Sequence, residues 1–158
     1  MALTIQTHHA GAWHDAATVQ IRDIQAGITS PTVVDYVLSY VVEWDSEGLR
    51  TGNPARDVRA LSIVYPTDFA SRARPNWPPF LLDILPQGQA RRRLAKKLGF
   101  NNPDDPAVEY PLLLLGGGAP VGNLRVKEAW QQERERLSGR AGGLPRLGPR
   151  GASRRRRG

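Results

Sequence analysis

The sequence predicts an α+β fold: a small, mainly antiparallel sheet carrying two or three short helices, followed by a disordered, arginine- and glycine-rich C-terminal tail. Three observations carry that reading. Residues 1 to 65 hold short segments of period-two or β-branched character, the signature of half-buried strands. From Gln87 the apolar spacing becomes helical, and from residue 138 almost nothing apolar remains to offset the entropy of ordering the chain.

Taken in order, Leu3 to Thr7 and Thr18 to Ile24 alternate apolar and polar residues, with Gly11, His14 and Asp15 as the turn between them. Thr32 to Trp44 is dense in β-branched and aromatic residues and reads as one strand with a well-buried face. Asp45 to Pro54 reads as a loop, and Arg59 to Tyr65 as a further strand ended by Pro66, which lacks a ladder donor. The four prolines between residues 66 and 79 predict an irregular surface crossing.

Ala90, Leu94 and Leu98 then recur at helical spacing, with Arg91, Arg92, Arg93, Lys96 and Lys97 on the remaining arc and Gly99 as a left-handed stop. Asn101 to Pro106 offers turn and capping residues before a second short helix over Ala107 to Leu115. Gly116 to Gly118 breaks that helix, Val121 to Val126 returns to strand character, and Trp130 to Leu137 extends as a helix.

Charge is informative only once it is located. Of 158 residues, 138 to 158 carry seven arginines and no acid, which equals the whole formal charge of +7, so residues 1 to 137 sum to zero. The basic character describes a tail, and the body gives no general case for nucleic-acid binding. With no cysteine there are no disulfides and no thiolate metal sites, in keeping with a reducing compartment. The N-terminus lacks a basic start followed by an apolar run, and no stretch approaches the ~18 apolar residues of a membrane-spanning helix, so a cytoplasmic protein is expected.

Residues that could carry chemistry are few. Gly116 to Gly122, GGGAPVG, invites a phosphate-loop reading, but the lysine and hydroxyl of a P-loop are missing and the order is helix then strand, so a helix stop is expected. His8, His9 and His14 are the only histidines, and loop or strand-edge roles are favoured over zinc. No G-x-S-x-G or cysteine nucleophile exists. Asp104 and Asp105, set between prolines, suit a turn and helix start better than acid-base work. The basic face from Arg91 to Lys97 is either solvated or a partner contact, with Trp77 and Phe80 as neighbouring aromatic anchors.

The segment Pro79-Phe80-Leu81-Leu82-Asp83-Ile84-Leu85-Pro86-Gln87-Gly88, followed by Arg91 to Leu98, resembles the amino-terminal part of HipA-type toxins, the serine/threonine kinases of bacterial toxin-antitoxin systems. The family pattern there is an aromatic and apolar run, Leu-Pro-acid-Gly, then a basic helix with Arg and Leu-Ala; this chain has Gln87 where the acid is usual. Ala60-Leu61-Ser62 before Pro66 resembles the family's Ala-Leu-Ser strand, and Val121-Gly122-Asn123-Leu124-Arg125 its glycine-bearing strand. Trp13, Tyr36 and Tyr40 fit more loosely, and the likeness covers roughly residues 10 to 128.

The resemblance implies a small amino-terminal subdomain over residues 1–128; beyond it the chain matches nothing expected of the family, and its composition reads as a helical extension over 129–137 and a disordered basic tail over 138–158. In such kinases the phosphate loop, the catalytic aspartate and the metal-binding aspartate lie further along. This chain alone is therefore expected to be noncatalytic, with no cofactor of its own, since ATP and Mg would belong to the kinase core. The expected role is packing against or regulating a HipA-like kinase core, in cis or in trans, by protein contact. Trp77, Phe80 and Leu85 are the candidate apolar contacts and Arg91, Arg92 and Arg93 the polar ones. The family also raises a HipB-like DNA-binding antitoxin as a further partner. Two alternatives stand beside this: a truncated or frame-shifted remnant of a full-length toxin, and a nonspecific nucleic-acid binder acting through the tail.

Overall fold

The computed structural model describes residues 1–119 and 122–141. Strands β1 (Ala2–His9) and β2 (Ala12–Ile21) form a hairpin, joined by β3 (Thr32–Tyr36), β4 (Arg72–Arg74) and β5 (Leu124–Val126). Every neighbouring pair is antiparallel, in the order β4-β3-β2-β1-β5. Around the sheet lie α1 (Leu38–Trp44), α2 (Ser46–Thr51), α3 (Pro79–Ile84), α4 (Gly88–Lys97), α5 (Glu109–Gly116) and α6 (Lys127–Ala141). The class is α+β, with more helices than the two or three expected.

One sheet face is the core. Leu3, Ile5, Val19, Ile21, Val34, Tyr36 and Val126 are buried, and the registers Leu3–Val19, Val19–Val34 and Ile5–Val126 set them side by side. Leu81 of α3 and Leu112 and Leu113 of α5 close the same cluster, each worth about 1.5–3 kcal/mol of burial. Ala129 of α6 belongs to it as well, so the structural unit runs past residue 128.

The hairpin turn is tighter than the sequence indicated. Ala10 and Gly11 carry it alone, with φ of 48° and 78°, the positive angles a two-residue turn requires. His14 and Asp15 consequently lie inside β2, paired with Thr7 and Gln6. Ala16 is the extra residue of a bulge beside them, and its carbonyl accepts from Val37 N at 2.9 Å.

Three further expectations are corrected. Thr32 to Trp44 is a strand only as far as Tyr36; Val37, Tyr40, Val41 and Trp44 then face inward at helical spacing while Leu38 and Val42 are exposed. Within Asp45 to Pro54, α2 forms because the Asp45 carboxylate caps it through Gly48 N at 3.3 Å and Gly52 ends it at φ 70°.

Arg59 to Tyr65 is no sheet strand. Tyr36 Oη donates to Tyr65 O and accepts from Leu61 N at 2.8 Å, while Tyr40 Oη donates to Arg59 O at 2.7 Å. Side chains of β3 and α1 thus supply the partners that a ladder would have given, leaving only a bridge between Ser62 and Tyr65.

The later segments follow the sequence more closely. The crossing over 66 to 79 is irregular apart from β4, and α4 occupies the basic stretch. The second expected helix is a 3-10 turn at Pro106–Val108 running into α5. Gly118 lies where a Cβ would come within 2.7 Å of Trp130 Cα, so the triple glycine permits α6 to close on α5. Of the strand expected over Val121 to Val126, Leu124–Val126 is formed and Val121 lies outside the described residues. Residues 138–141, expected to begin the tail, continue α6, and the rest of the tail lies outside the described residues.

Candidate functional site

The most conspicuous surface feature is apolar. Val58, Ile63 and Val64 are 58 %, 71 % and 65 % exposed, unusual for aliphatic side chains so close in sequence. Beside them runs a groove of about 490 Å³ bounded by the 61–64 turn, the start and end of α3, and residues 122–124. Leu61, Phe80, Ile84 and Leu124 supply apolar walls.

The sequence builds this surface from beneath. With the 59–65 backbone held by Tyr36 and Tyr40, Leu61 and Tyr65 turn inward and Ile63 and Val64 are left outward. Tyr65 packs edge-to-face on Phe80 at 5.2 Å, fixing the turn against α3. Asn123 Nδ2 donates to Val58 O at 3.0 Å, tying the turn to the chain entering β5. Burial lifts the Tyr36 hydroxyl well above the ordinary phenol range, and the Tyr40 hydroxyl shifts upward for the same reason, so both remain protonated hydrogen-bonding groups.

A buried carboxylate secures the other end of the segment. Asp45 is 4 % exposed and accepts from Ala55 N and Thr67 Oγ1, both at 2.6 Å. Arg59 reaches toward it at 3.7 Å and pairs with Asp57 at 2.7 Å. Hydrogen bonds from the Arg59 side chain and backbone bring the Asp57 carboxyl down to about 2.

The six contact residues expected from sequence do not form one surface. Trp77 just before α3, Phe80 within it and Leu85 at its C-terminal cap are all buried in the core. As surface contacts they are corrected, although Phe80 touches the groove. Arg91 is also turned inward: Nε donates to Pro103 O at 2.9 Å and Nη2 meets Glu109 at 3.2 Å, with Asp104 at 3.9 Å. Glu109 in turn accepts from Ile28 N, so Arg91 helps lock α4, α5 and the 24–29 turn together. Only Arg92 and Arg93 are exposed, beside Lys96 and Lys97.

The exposure of Ile63 and Val64 was not foreseen, because a strand reading of 59 to 65 took its backbone partners from a ladder and not from the Tyr36 and Tyr40 hydroxyls. The signal for these two and Val58 was present as three apolar residues flanked by Asp57, Arg59 and Ser62 in a segment preceding a proline.

The histidines form a packed aromatic end. His9 stacks on His14 at 4.5 Å, Trp44 lies 4.6 Å from each, and His9 Nε2 bonds Tyr40 Oη at 2.9 Å. Burial lowers the His9 pKa, and the neighbouring His14 and Arg59 lower it further. Among the described residues no group of three or more His, Cys, Asp or Glu is arranged to hold a metal. At the opposite face Arg125 is sandwiched between Trp13 and Trp130, 4.2 Å from each ring, and bonds Gln6 Oε1 at 2.7 Å. Of GGGAPVG, the three glycines make the helix stop, and Pro120 and Val121 lie outside the described residues.

No helix among the described residues is long and apolar enough to cross a membrane. Comparison with protein-family models, with curated proteins and with solved structures finds no match.

Proposed function

We propose that this chain is a noncatalytic protein-contact module, equivalent to the amino-terminal subdomain of a HipA-type kinase and docking on a kinase core in cis or in trans. The observation that carries the reading is the exposed pair Ile63 and Val64 on the rim of an apolar groove that Phe80 also lines. Exposed aliphatic side chains gathered next to a concave apolar wall favour a protein partner over a soluble small substrate. The side chains most able to act in acid-base chemistry, His9, Asp45 and Glu109, are taken up in structural hydrogen bonds. A cytoplasmic setting and a HipB-like antitoxin as a second partner follow from the same reading, and the lack of cysteine is in keeping with that compartment.

The test is to search the coding sequence beside and downstream of this chain, in all frames, for a HipA-like kinase core and to co-express the two. A stoichiometric complex on size exclusion is the expected result. ATP turnover by the isolated chain, or a kinase core that elutes alone, would overturn the reading.

A further inference from the structure

The groove is apolar with one charged side chain in its lining, Asp83. Asp83 is exposed, sits one residue from the C-terminal end of α3, and forms no ion pair among the described residues. A carboxylate there is disfavoured by the helix dipole, so local stability does not account for it. The groove therefore offers two things together, an aliphatic wall and a single negative charge at its edge that no described residue pairs.

We infer that this groove receives an apolar segment of a protein partner that carries a lysine or arginine, with the cation seated against Asp83 and the apolar side chains against Ile63, Val64 and Leu124. The inference rests on the protein-contact reading and adds the chemistry of the partner. An amphipathic helix laid into an apolar groove is the recurring form of such recognition. Covering the groove removes water from around Asp83, and a carboxylate so shielded demands a cationic partner. The arginines of residues 138–158, which carry the whole formal +7, attract acidic ligands and not basic ones. A preference for a basic segment would consequently report the groove itself.

The experiment is fluorescence anisotropy on the full chain with two tagged helix-forming peptides. Each has one leucine face; one bears a single lysine beside it and its twin a glutamate at that position. The lysine peptide should bind at least about tenfold more tightly, the effect of one charge-assisted hydrogen bond. Asp83→Lys should invert the preference, and Ile63→Asp should abolish binding of both peptides while circular dichroism stays unchanged.

Equal affinity for the twins, no binding of either, or indifference to Ile63→Asp would overturn the inference. So would self-association of the chain that disappears in Ile63→Asp, since a second copy would then be the occupant. A kinase core that binds the wild-type and Asp83→Lys chains equally would refute the partner chemistry and leave the docking reading intact. Peptide selectivity with no core binding would do the reverse.

Discussion

Replacing Asp45 by alanine should cost about 3 kcal/mol and unfasten the segment that carries the exposed aliphatic residues. The carboxylate accepts from Gly48 N, Ala55 N and Thr67 Oγ1 while only 4 % exposed. Loss of a helix N-cap accounts for about 1 kcal/mol. Leaving the Ala55 N–H buried without an acceptor adds about 1–3 kcal/mol. Thr67 contributes less, because its hydroxyl already lies 3.3 Å from Ala55 O and can turn to it. For a chain of this length about 3 kcal/mol corresponds to a fall in Tm of roughly 10 °C. Asp45→Asn keeps one acceptor but points an amide N–H₂ at a donor, and should lose about 1–2 kcal/mol. Urea unfolding followed by circular dichroism reads both, with an unchanged slope showing that the same surface is exposed. An Asp45→Ala protein within about 0.5 kcal/mol of wild type, or an Asn variant equal to it, would refute the reasoning.

Acid should weaken the fold through His9. Its folded pKa lies below the ordinary 6.5, so the folded state binds fewer protons; the stabilisation is complete above 6.5 and is lost as pH falls from there toward the folded value. The urea midpoint should drop as the pH falls below 6.5, and His9→Gln should flatten that drop; an equally steep profile in the variant would assign it elsewhere. Arg125→Lys should cost about 1–3 kcal/mol and change the tryptophan emission, because an ammonium cannot stack flat between Trp13 and Trp130; unaltered emission would contradict the sandwich. Phe80→Ala should lose about 3–5 kcal/mol whereas Ile63→Asp should stay within about 0.5 kcal/mol, and comparable losses at the two positions would mean that Ile63 is not a free surface residue.

What the sequence revealed depended on whether a segment's partners were local. Leu3 to Thr7 was legible as a strand because period two needs only one buried face, and α4 as a helix from the spacing of Ala90 and Leu94, although Leu98 caps it and is exposed and Ala95 is its buried residue. The helix at Leu38–Trp44 was hidden by its β-branched composition, although Val37, Tyr40, Val41 and Trp44 already had helical spacing. Asp45 and Gly52 were likewise cap signals inside what read as a loop. The segment from Arg59 to Tyr65 was beyond local reading, since its backbone partners are hydroxyls contributed by Tyr36 and Tyr40. For the same reason the contact surface was sought on α3 and α4, where apolar and basic residues are dense, and Trp77, Phe80, Leu85 and Arg91 proved to be internal.

Those two tyrosine hydroxyls separate inheritance of the fold from inheritance of recognition. They hold main-chain atoms of Arg59, Leu61 and Tyr65, whose positions are indifferent to what side chains stand at Val58, Ile63 and Val64. A strand in that place would have bound each outward residue to a register and to cross-strand neighbours. Suspended from phenols instead, the exposed positions are free to drift in sequence, so related chains can keep this scaffold while exchanging one partner for another.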